Sequence, residues 1–129
     1  MKMMRKIVFA LLCVFFRSAV ANCEDPKTQV EMTACARQDY AEQDKKLNTA
    51  YAEYRVRLRE SQKKQLKDAQ LAWIKFRDAS CEFESSGVEG GSVYPMVRYL
   101  CLSEKTAIRL QEIKELSVCK EGNLSCPAY

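Results

Sequence analysis

The chain has 129 residues and a formal net charge of +4. It contains no histidine, which excludes Ser-His and Cys-His catalysis and removes the commonest metal ligand. Its length suits one domain with a single core.

Residues 1–21 have the features of a secretory signal peptide. A positively charged start precedes the apolar run IVFALLCVFF, and Ala19-Val20-Ala21 matches the small-x-small cleavage pattern. The run is shorter than the ~20 residues that a membrane span needs. A lipid anchor on Cys23 is disfavoured because Asn22 is a poor residue to precede it. We therefore predict a mature chain of residues 22–129, exported to the periplasm or secreted, with no stable membrane anchor.

Removal of this segment changes the charge balance. Four of the 21 basic residues lie in it, and the remainder equals the 17 acidic residues. A neutral mature chain has no general attraction for nucleic acid, so we expect no nucleic-acid partner.

The cysteine pattern indicates disulfides. Cys13 leaves with the signal peptide, and six cysteines remain: Cys23, Cys35, Cys81, Cys101, Cys119 and Cys126. An even number in a small exported chain is typical of a disulfide framework. A metal site is the alternative, but no C-x-x-C pair occurs, so neither a metal nor a cofactor is predicted. Pairing between neighbours in sequence is favoured, and the main rival joins Cys23 or Cys35 to Cys101.

The first predicted helix begins with a capping box. Thr28 is the N-cap and Glu31 stands three residues later. No glycine or proline interrupts the chain from there to about Arg59, a length of about 32 residues. Its apolar stripe consists of Tyr40, Leu47, Tyr51, Tyr54 and Leu58.

Ser61 is positioned to cap a second helix of about 23 residues. A stripe at intervals of three and four is formed by Leu66, Ala69, Trp73 and Phe76 and completed by Ser80. We therefore expect Trp73 and Phe76 on the buried face. Other residues are expected at the surface or its margin: Lys67, Gln70, Lys75 and Asp78.

The segment ESSGVEGGS, residues 84–92, separates this helix from a third. The third helix is predicted to start near Ser92, with Pro95 in its first turn. Its apolar side consists of Val97, Leu100, Ala107, Leu110 and Ile113. A turn at Gly122-Asn123 follows, between Cys119 and Cys126.

These elements predict an all-α fold, an up-down-up antiparallel three-helix bundle with disulfides, as one domain over residues 22–129. The first helix would exceed the second by about 13 Å. We expect either a break in the first helix or packing of its start against the glycine-rich loop.

Residues spread through the chain carry a family resemblance. They are Gln29-x-Glu31-Met32-x-x-Cys35-Ala36, Asp44-x-x-Leu47-Asn48-x-x-Tyr51, Ala69-Gln70-x-Ala72-Trp73-x-x-x-Arg77-Asp78-x-x-Cys81, Gly91-Ser92, Cys101, Thr106 and Arg109. In their order and spacing, the chain resembles the lysozyme inhibitor LprI-like family over residues 23–113, with 114–129 as an added tail. The resemblance implies a helical, disulfide-bonded exported protein and, for some members, inhibition of lysozyme.

The densest part of this pattern is residues 69–82. Arg77 and Asp78 point about 100° apart on a helix, so each is expected to pair with another helix, with Arg109 or Thr106 meeting Asp78. No histidine or second acid at a fixed spacing completes a catalytic set. A structural corner is therefore favoured over a chemical site, and the protein is predicted not to be an enzyme.

Two binding functions remain. The first is inhibition of a lysozyme-type hydrolase through an acidic, glycine-containing surface, since lysozymes are commonly basic. Its candidate residues are Asp78, Glu82, Glu84, Glu89, Gly90 and Gly91. The second is an envelope adaptor that inhibits no lysozyme and uses the basic residues between 55 and 67. Ordinary solvated helix ends are the alternative to both.

Overall fold

The computed structural model describes residues 23–120 and 122–127. The predicted signal peptide, with Cys13, lies outside the described residues. The described part contains three α-helices and no strand: α1 is Gln29–Arg55, α2 is Glu60–Ser85 and α3 is Tyr94–Ser117. A 3₁₀ turn, Ser86–Val88, follows α2. The all-α three-helix bundle predicted from the sequence is confirmed, with α3 packed most extensively along α1.

The predicted capping box is present at the start of α1. The backbone N–H of Glu31 donates to Thr28 Oγ1 at 3.2 Å, and the Glu31 carboxylate accepts from the backbone N–H of Thr28 at 3.0 Å. The backbone N–H of Lys27 also donates to this carboxylate, at 2.7 Å. These donors stabilise the charged form and hold the pKa of Glu31 below its usual value.

The boundary between α1 and α2 differs from the prediction. Helix α1 ends at Arg55, and the chain tightens into a turn in which Leu58 N–H donates to Arg55 O at 3.1 Å. This turn places Leu58 in the core at 6% exposure. Helix α2 then begins at Glu60, with Arg59 rather than Ser61 as N-cap. Because α1 and α2 have 27 and 26 residues, the predicted 13 Å overhang is wrong.

The apolar core lies in the half of the bundle nearest this turn. Its buried residues are Leu47, Tyr54, Leu58, Leu110 and Ile113, and Ala50, Leu66, Trp73 and Leu116 pack against them. At the other end, Ser92 Oγ of the glycine-rich loop lies 3.5 Å from Gln29 Oε1 at the start of α1. The loop therefore meets the start of α1, although no overhang is present.

The predicted buried face of α2 is wrong in part. Phe76 is 62% exposed, and Ala69 is also exposed. The buried positions are instead Gln70, Arg77, Cys81 and Ser85. The face is turned because α1 and α3 supply partners for the polar side chains of Gln70 and Arg77, and Ser85 Oγ donates to Cys81 O within α2, which removes the penalty for burying them.

Helix α3 shows a similar shift toward small polar residues. Leu100, predicted to be apolar core, is 50% exposed. Ser103 and Thr106 are buried at 5% and 0% exposure, and Ser103 Oγ donates to the carboxylate of Asp39. Small side chains let α3 approach α1 closely, and the hydroxyl is satisfied across the interface.

Three disulfides connect the described cysteines. Cys23 is joined to Cys35 with an S–S distance of 2.04 Å, Cys81 to Cys101 at 2.05 Å, and Cys119 to Cys126 at 2.00 Å. This is the pairing of sequence neighbours that the cysteine order favours. The second bridge joins α2 to α3 across the glycine-rich loop, and the third closes a loop after α3.

Among the described residues, no helix has both the length and the apolar content needed to cross a bilayer.

Candidate functional site

Arg77 lies at the centre of the segment that the sequence singles out. Its side chain is 7% exposed. Its Nε donates to Asp78 Oδ1 at 2.9 Å, and its Nη1 lies 3.4 Å from Asp44 Oδ1 and 3.5 Å from Thr106 Oγ1. The expectation that Arg77 and Asp78 would not face each other is therefore wrong, because the long arginine side chain turns back to its neighbour.

Trp73 connects this arginine to a second one. The Cζ atoms of Arg77 and Arg109 lie 5.1 Å and 5.8 Å from the centroid of the Trp73 ring. Arg109 Nε donates to the buried Gln70 at 3.0 Å and does not meet Asp78 as expected. The polar network formed by Asp44, Gln70, Arg77, Asp78, Thr106 and Arg109 thus joins all three helices.

Tyr40 covers the network on the α1 side. Arg77 Cζ lies 5.4 Å from the Tyr40 ring centroid, and Tyr99 of α3 lies 6.2 Å from it, centroid to centroid. Burial disfavours the charged phenolate and raises the pKa of Tyr40. Within the segment 69–82, Gln70, Trp73, Arg77 and Asp78 are thus packed in or against this network, and Cys81 is joined to Cys101 of α3.

The four predicted acidic residues fall into two environments. Asp78 is half-buried and held by Arg77, so it belongs to the polar network. Glu82, Glu84 and Glu89 are exposed around the end of α2. Lys105 of α3 adds a cation that the local sequence does not reveal, with its Nζ 2.9 Å from Glu84 Oε1. Within the described part of the chain, Glu82 and Glu89 form no salt bridge.

The glycine pair shapes the loop beside these acids. Gly90 has φ +76°, a conformation that side-chain-bearing residues rarely adopt. Gly91 N–H donates to Val88 O at 3.0 Å, and a Cβ on Gly91 would lie 3.1 Å from that oxygen. The loop is therefore a hydrogen-bonded turn that presents backbone rather than side chains. We call Glu82, Glu84, Glu89 and Gly90-Gly91 the acidic end.

Two phenylalanines of α2 are exposed: Phe76, which was predicted to be buried, and Phe83, which had no predicted role. Phe83 is 79% exposed and stands between Glu82 and Glu84, and Phe76 is 62% exposed one heptad earlier on α2. Lys105 Nζ lies 5.9 Å from the Phe76 ring centroid. Residues 66, 70, 73, 77 and 81 are also spaced by three and four, so they form a helical face as regular as the predicted stripe. That face excludes both phenylalanines, and it was the signal in the sequence that could have revealed their exposure.

Among residues 23–120 and 122–127, no group of three or more Cys, Asp or Glu side chains is arranged to hold a metal ion. Phe83, between Glu82 and Glu84, adds an exposed aromatic side chain next to the acidic end.

Comparisons with known proteins identify a family for this chain. Residues 20–113 match the family described as Lysozyme inhibitor LprI, a span that includes the polar network and the acidic end. An uncharacterized protein of Rhizobium meliloti (strain 1021) is 33% identical, over 92% of this chain and 100% of the relative. No solved structure matches the chain. The matched span extends over well more than half of the sequence, and the chain belongs to the lysozyme inhibitor LprI family.

Proposed function

We propose that the protein is an exported inhibitor of a lysozyme-type cell-wall hydrolase and that it binds the enzyme through the acidic end. The observation that carries the proposal is the exposure of Phe83, at 79%, on the helical turn that also bears Glu82 and Glu84. Membership of a family named for lysozyme inhibition supports the choice of partner.

In this proposal, the acidic side chains account for the rate at which the protein associates with the lysozyme. Lysozymes are commonly strongly basic, and an exposed carboxylate surface accelerates association with a basic partner. Glu84 is partly neutralised by Lys105, so Glu82 and Glu89 contribute most of the attraction. Exposed charges increase the rate of association more than they strengthen the bound complex, so the bound state needs a further source of affinity.

Phe83 supplies that affinity. Large aromatic side chains that become buried at the centre of an interface contribute a major share of binding energy. The ring lies on a helix end tied to α3 by the Cys81–Cys101 disulfide, which lowers the entropy lost on binding. The Gly90-Gly91 turn follows the end of α2 in the chain, and its lack of side chains allows close approach to the walls of a substrate cleft. Occupation of the cleft excludes the polysaccharide.

The first experiment measures inhibition of a panel of purified lysozymes by the mature chain. The variant Glu82→Gln/Glu84→Gln/Glu89→Gln should associate more slowly with a basic lysozyme, and the difference should shrink at high salt, where exposed charges are screened. The control Glu42→Gln/Glu53→Gln/Glu115→Gln removes the same charge from exposed positions elsewhere. Equal slowing in both variants would show that only net charge matters.

The second experiment compares Phe83→Ala with Phe76→Ala. Both change an exposed phenylalanine of α2, but only Phe83 lies in the last turn of the helix, between Glu82 and Glu84. We expect Phe83→Ala to weaken inhibition by about tenfold or more through faster dissociation, and Phe76→Ala to change it little. If Phe83→Ala inhibits like the parent, the site lies elsewhere. If the parent inhibits no lysozyme of any type, the proposal fails and the envelope-adaptor function replaces it.

The third variant, Gly90→Ala/Gly91→Ala, tests the turn itself. It should impair inhibition even at high salt, because the positive φ of Gly90 and the Val88 oxygen beside Gly91 oppose added side chains. Circular dichroism must accompany this assay to separate a local change in the turn from loss of folding.

A further inference from the structure

The end of the bundle opposite the acidic end is strongly basic. Between residues 55 and 68 the chain has six basic and two acidic residues. These basic residues are Arg55, Arg57, Arg59, Lys63, Lys64 and Lys67. Helix α3 ends beside them, since Leu116 packs against the core cluster that contains Leu58. It adds the exposed Lys114 and Lys120. We call residues 55–68, 114–120 and 122–127 the basic end.

The acids present at this end do not neutralise it. Glu60 pairs with Lys63 and Asp68 pairs with Lys64, each at 2.7 Å. Arg57 lies 5.6 Å from the centroid of the Tyr54 ring and remains exposed. Lys114 and Lys120 raise the number of basic side chains among the described residues of this end to eight, against the three acids Glu60, Asp68 and Glu115, so the described residues have an excess of positive charge.

Exposed aliphatic side chains occur in the same segments of the chain. Val56 in the α1–α2 turn and Val118 after α3 are each 72% exposed. Leu124, fully exposed at 102%, is displayed on the loop that the Cys119–Cys126 disulfide closes. This loop lies beyond the family match at residues 20–113.

We propose that the basic end binds reversibly to the surface of an anionic phospholipid bilayer. Lysine and arginine side chains interact with headgroup phosphates, and the aliphatic side chains enter the boundary between headgroups and acyl chains. An anionic polysaccharide would match the charges and leave the aliphatic side chains without a partner. The closed loop presents Leu124 without a large ordering cost.

Such binding would orient the molecule. A helix of 26 residues, such as α2, is about 40 Å long, and its two termini lie at the basic and acidic ends. With the basic end on the bilayer, the acidic end faces away from it. This inference concerns a different surface from the proposed lysozyme site and does not depend on inhibition.

The test measures co-sedimentation of the mature chain with vesicles. Vesicles of phosphatidylglycerol mixed with phosphatidylcholine should bind the protein, and vesicles of phosphatidylcholine alone should not. Binding should weaken as salt is added, because exposed charges are screened. Failure to bind phosphatidylglycerol vesicles at low salt would overturn the proposal, as would equal binding to both lipids.

A matched pair of variants locates the surface. Arg57→Gln/Lys64→Gln/Lys67→Gln should weaken binding to phosphatidylglycerol vesicles by about tenfold or more. The control Lys27→Gln/Arg37→Gln/Lys45→Gln removes three exposed cations away from the basic end and should change binding less than about twofold. Equal losses would show attraction by net charge alone and would overturn the assignment. Circular dichroism verifies that each variant is folded.

The aliphatic contribution is tested separately. Leu124→Ser should weaken vesicle binding by about threefold or more, and this loss should persist at high salt because it does not depend on charge. Heparin serves as a lipid-free anionic polymer. Heparin binding that exceeds vesicle binding, with Leu124→Ser behaving like the parent, would identify a polymer site and overturn the lipid proposal.

Discussion

At the scale of single residues, Arg77 shows why an arginine can be buried in so small a protein. Its guanidinium donates to Asp78 and lies near Asp44, while its faces meet Trp73 and Tyr40. A planar, delocalised cation can make in-plane hydrogen bonds and stack at the same time. A lysine ammonium can do only part of this. The buried charge is therefore compensated by partners from α1, α2 and α3.

Replacement of this arginine should be destabilising even when charge is retained. Arg77→Lys is expected to lower the free energy of unfolding by about 2–3 kcal/mol, because a lysine cannot keep both carboxylate contacts and the aromatic stacking. Urea unfolding followed by circular dichroism measures the change. Asp44→Asn should cost less than about 1 kcal/mol, since the Asp44 side chain is 39% exposed. Parent-like unfolding of Arg77→Lys would contradict the role given to the network.

Two aromatic residues of α2 test which face of the helix is buried. Trp73 packs against the core cluster between two arginines, and Phe76 is 62% exposed. Trp73→Ala should lower the free energy of unfolding by about 3 kcal/mol. Phe76→Ser should change it by less than about 0.5 kcal/mol. If thermal unfolding showed the reverse order, the stripe predicted from the sequence would be right and the observed face wrong.

At the scale of helices, the start of α1 is determined by local chemistry. Thr28 and Glu31 satisfy backbone donors that the first turn leaves without partners. All of these groups lie within five residues, which is why the sequence predicted this boundary correctly. The α1–α2 boundary was predicted four residues late because the turn is determined by Leu58 entering a core built from distant residues.

The capping box should make α1 sensitive to acid. The pKa of Glu31 is lowered in the folded chain by the Lys27 and Thr28 backbone donors, so the unfolded chain binds its proton more readily. The stabilisation is present above the ordinary pKa and is lost as pH falls through the lowered one. Glu31→Gln retains an acceptor without titrating. We expect the parent to lose more stability than Glu31→Gln between neutral pH and about pH 3, as measured by urea unfolding.

At the scale of the whole molecule, charge is separated along the bundle although the predicted mature chain is neutral. The acidic end and the basic end lie at opposite ends of α2. The disulfides are distributed in the same way, with Cys81–Cys101 behind the acidic end and Cys119–Cys126 at the basic end. Each proposed binding surface is therefore stiffened by its own covalent link.

The Cys81–Cys101 bridge should contribute most to global stability, because it joins two helices across the glycine-rich loop. Its removal in Cys81→Ala/Cys101→Ala should lower the free energy of unfolding by about 3 kcal/mol. Non-reducing peptide mapping of the parent should recover three bridged pairs and no free thiol. A free thiol, or a peptide that joins Cys35 to Cys101, would contradict the pairing.

The sequence by itself determined the three helices, the capping box and the family, because each depends on local spacing or on a pattern read along the chain, and it favoured the disulfide pairing without excluding a rival. Only the tertiary structure decided which face of α2 is buried. A polar side chain such as Gln70 or Arg77 can be buried when another helix supplies its partner, and that partner is distant in sequence. Lys105 likewise lies beside Glu84 because α3, which is distant in sequence, packs against α2. Phe83 is exposed because it lies outside the face that α2 buries.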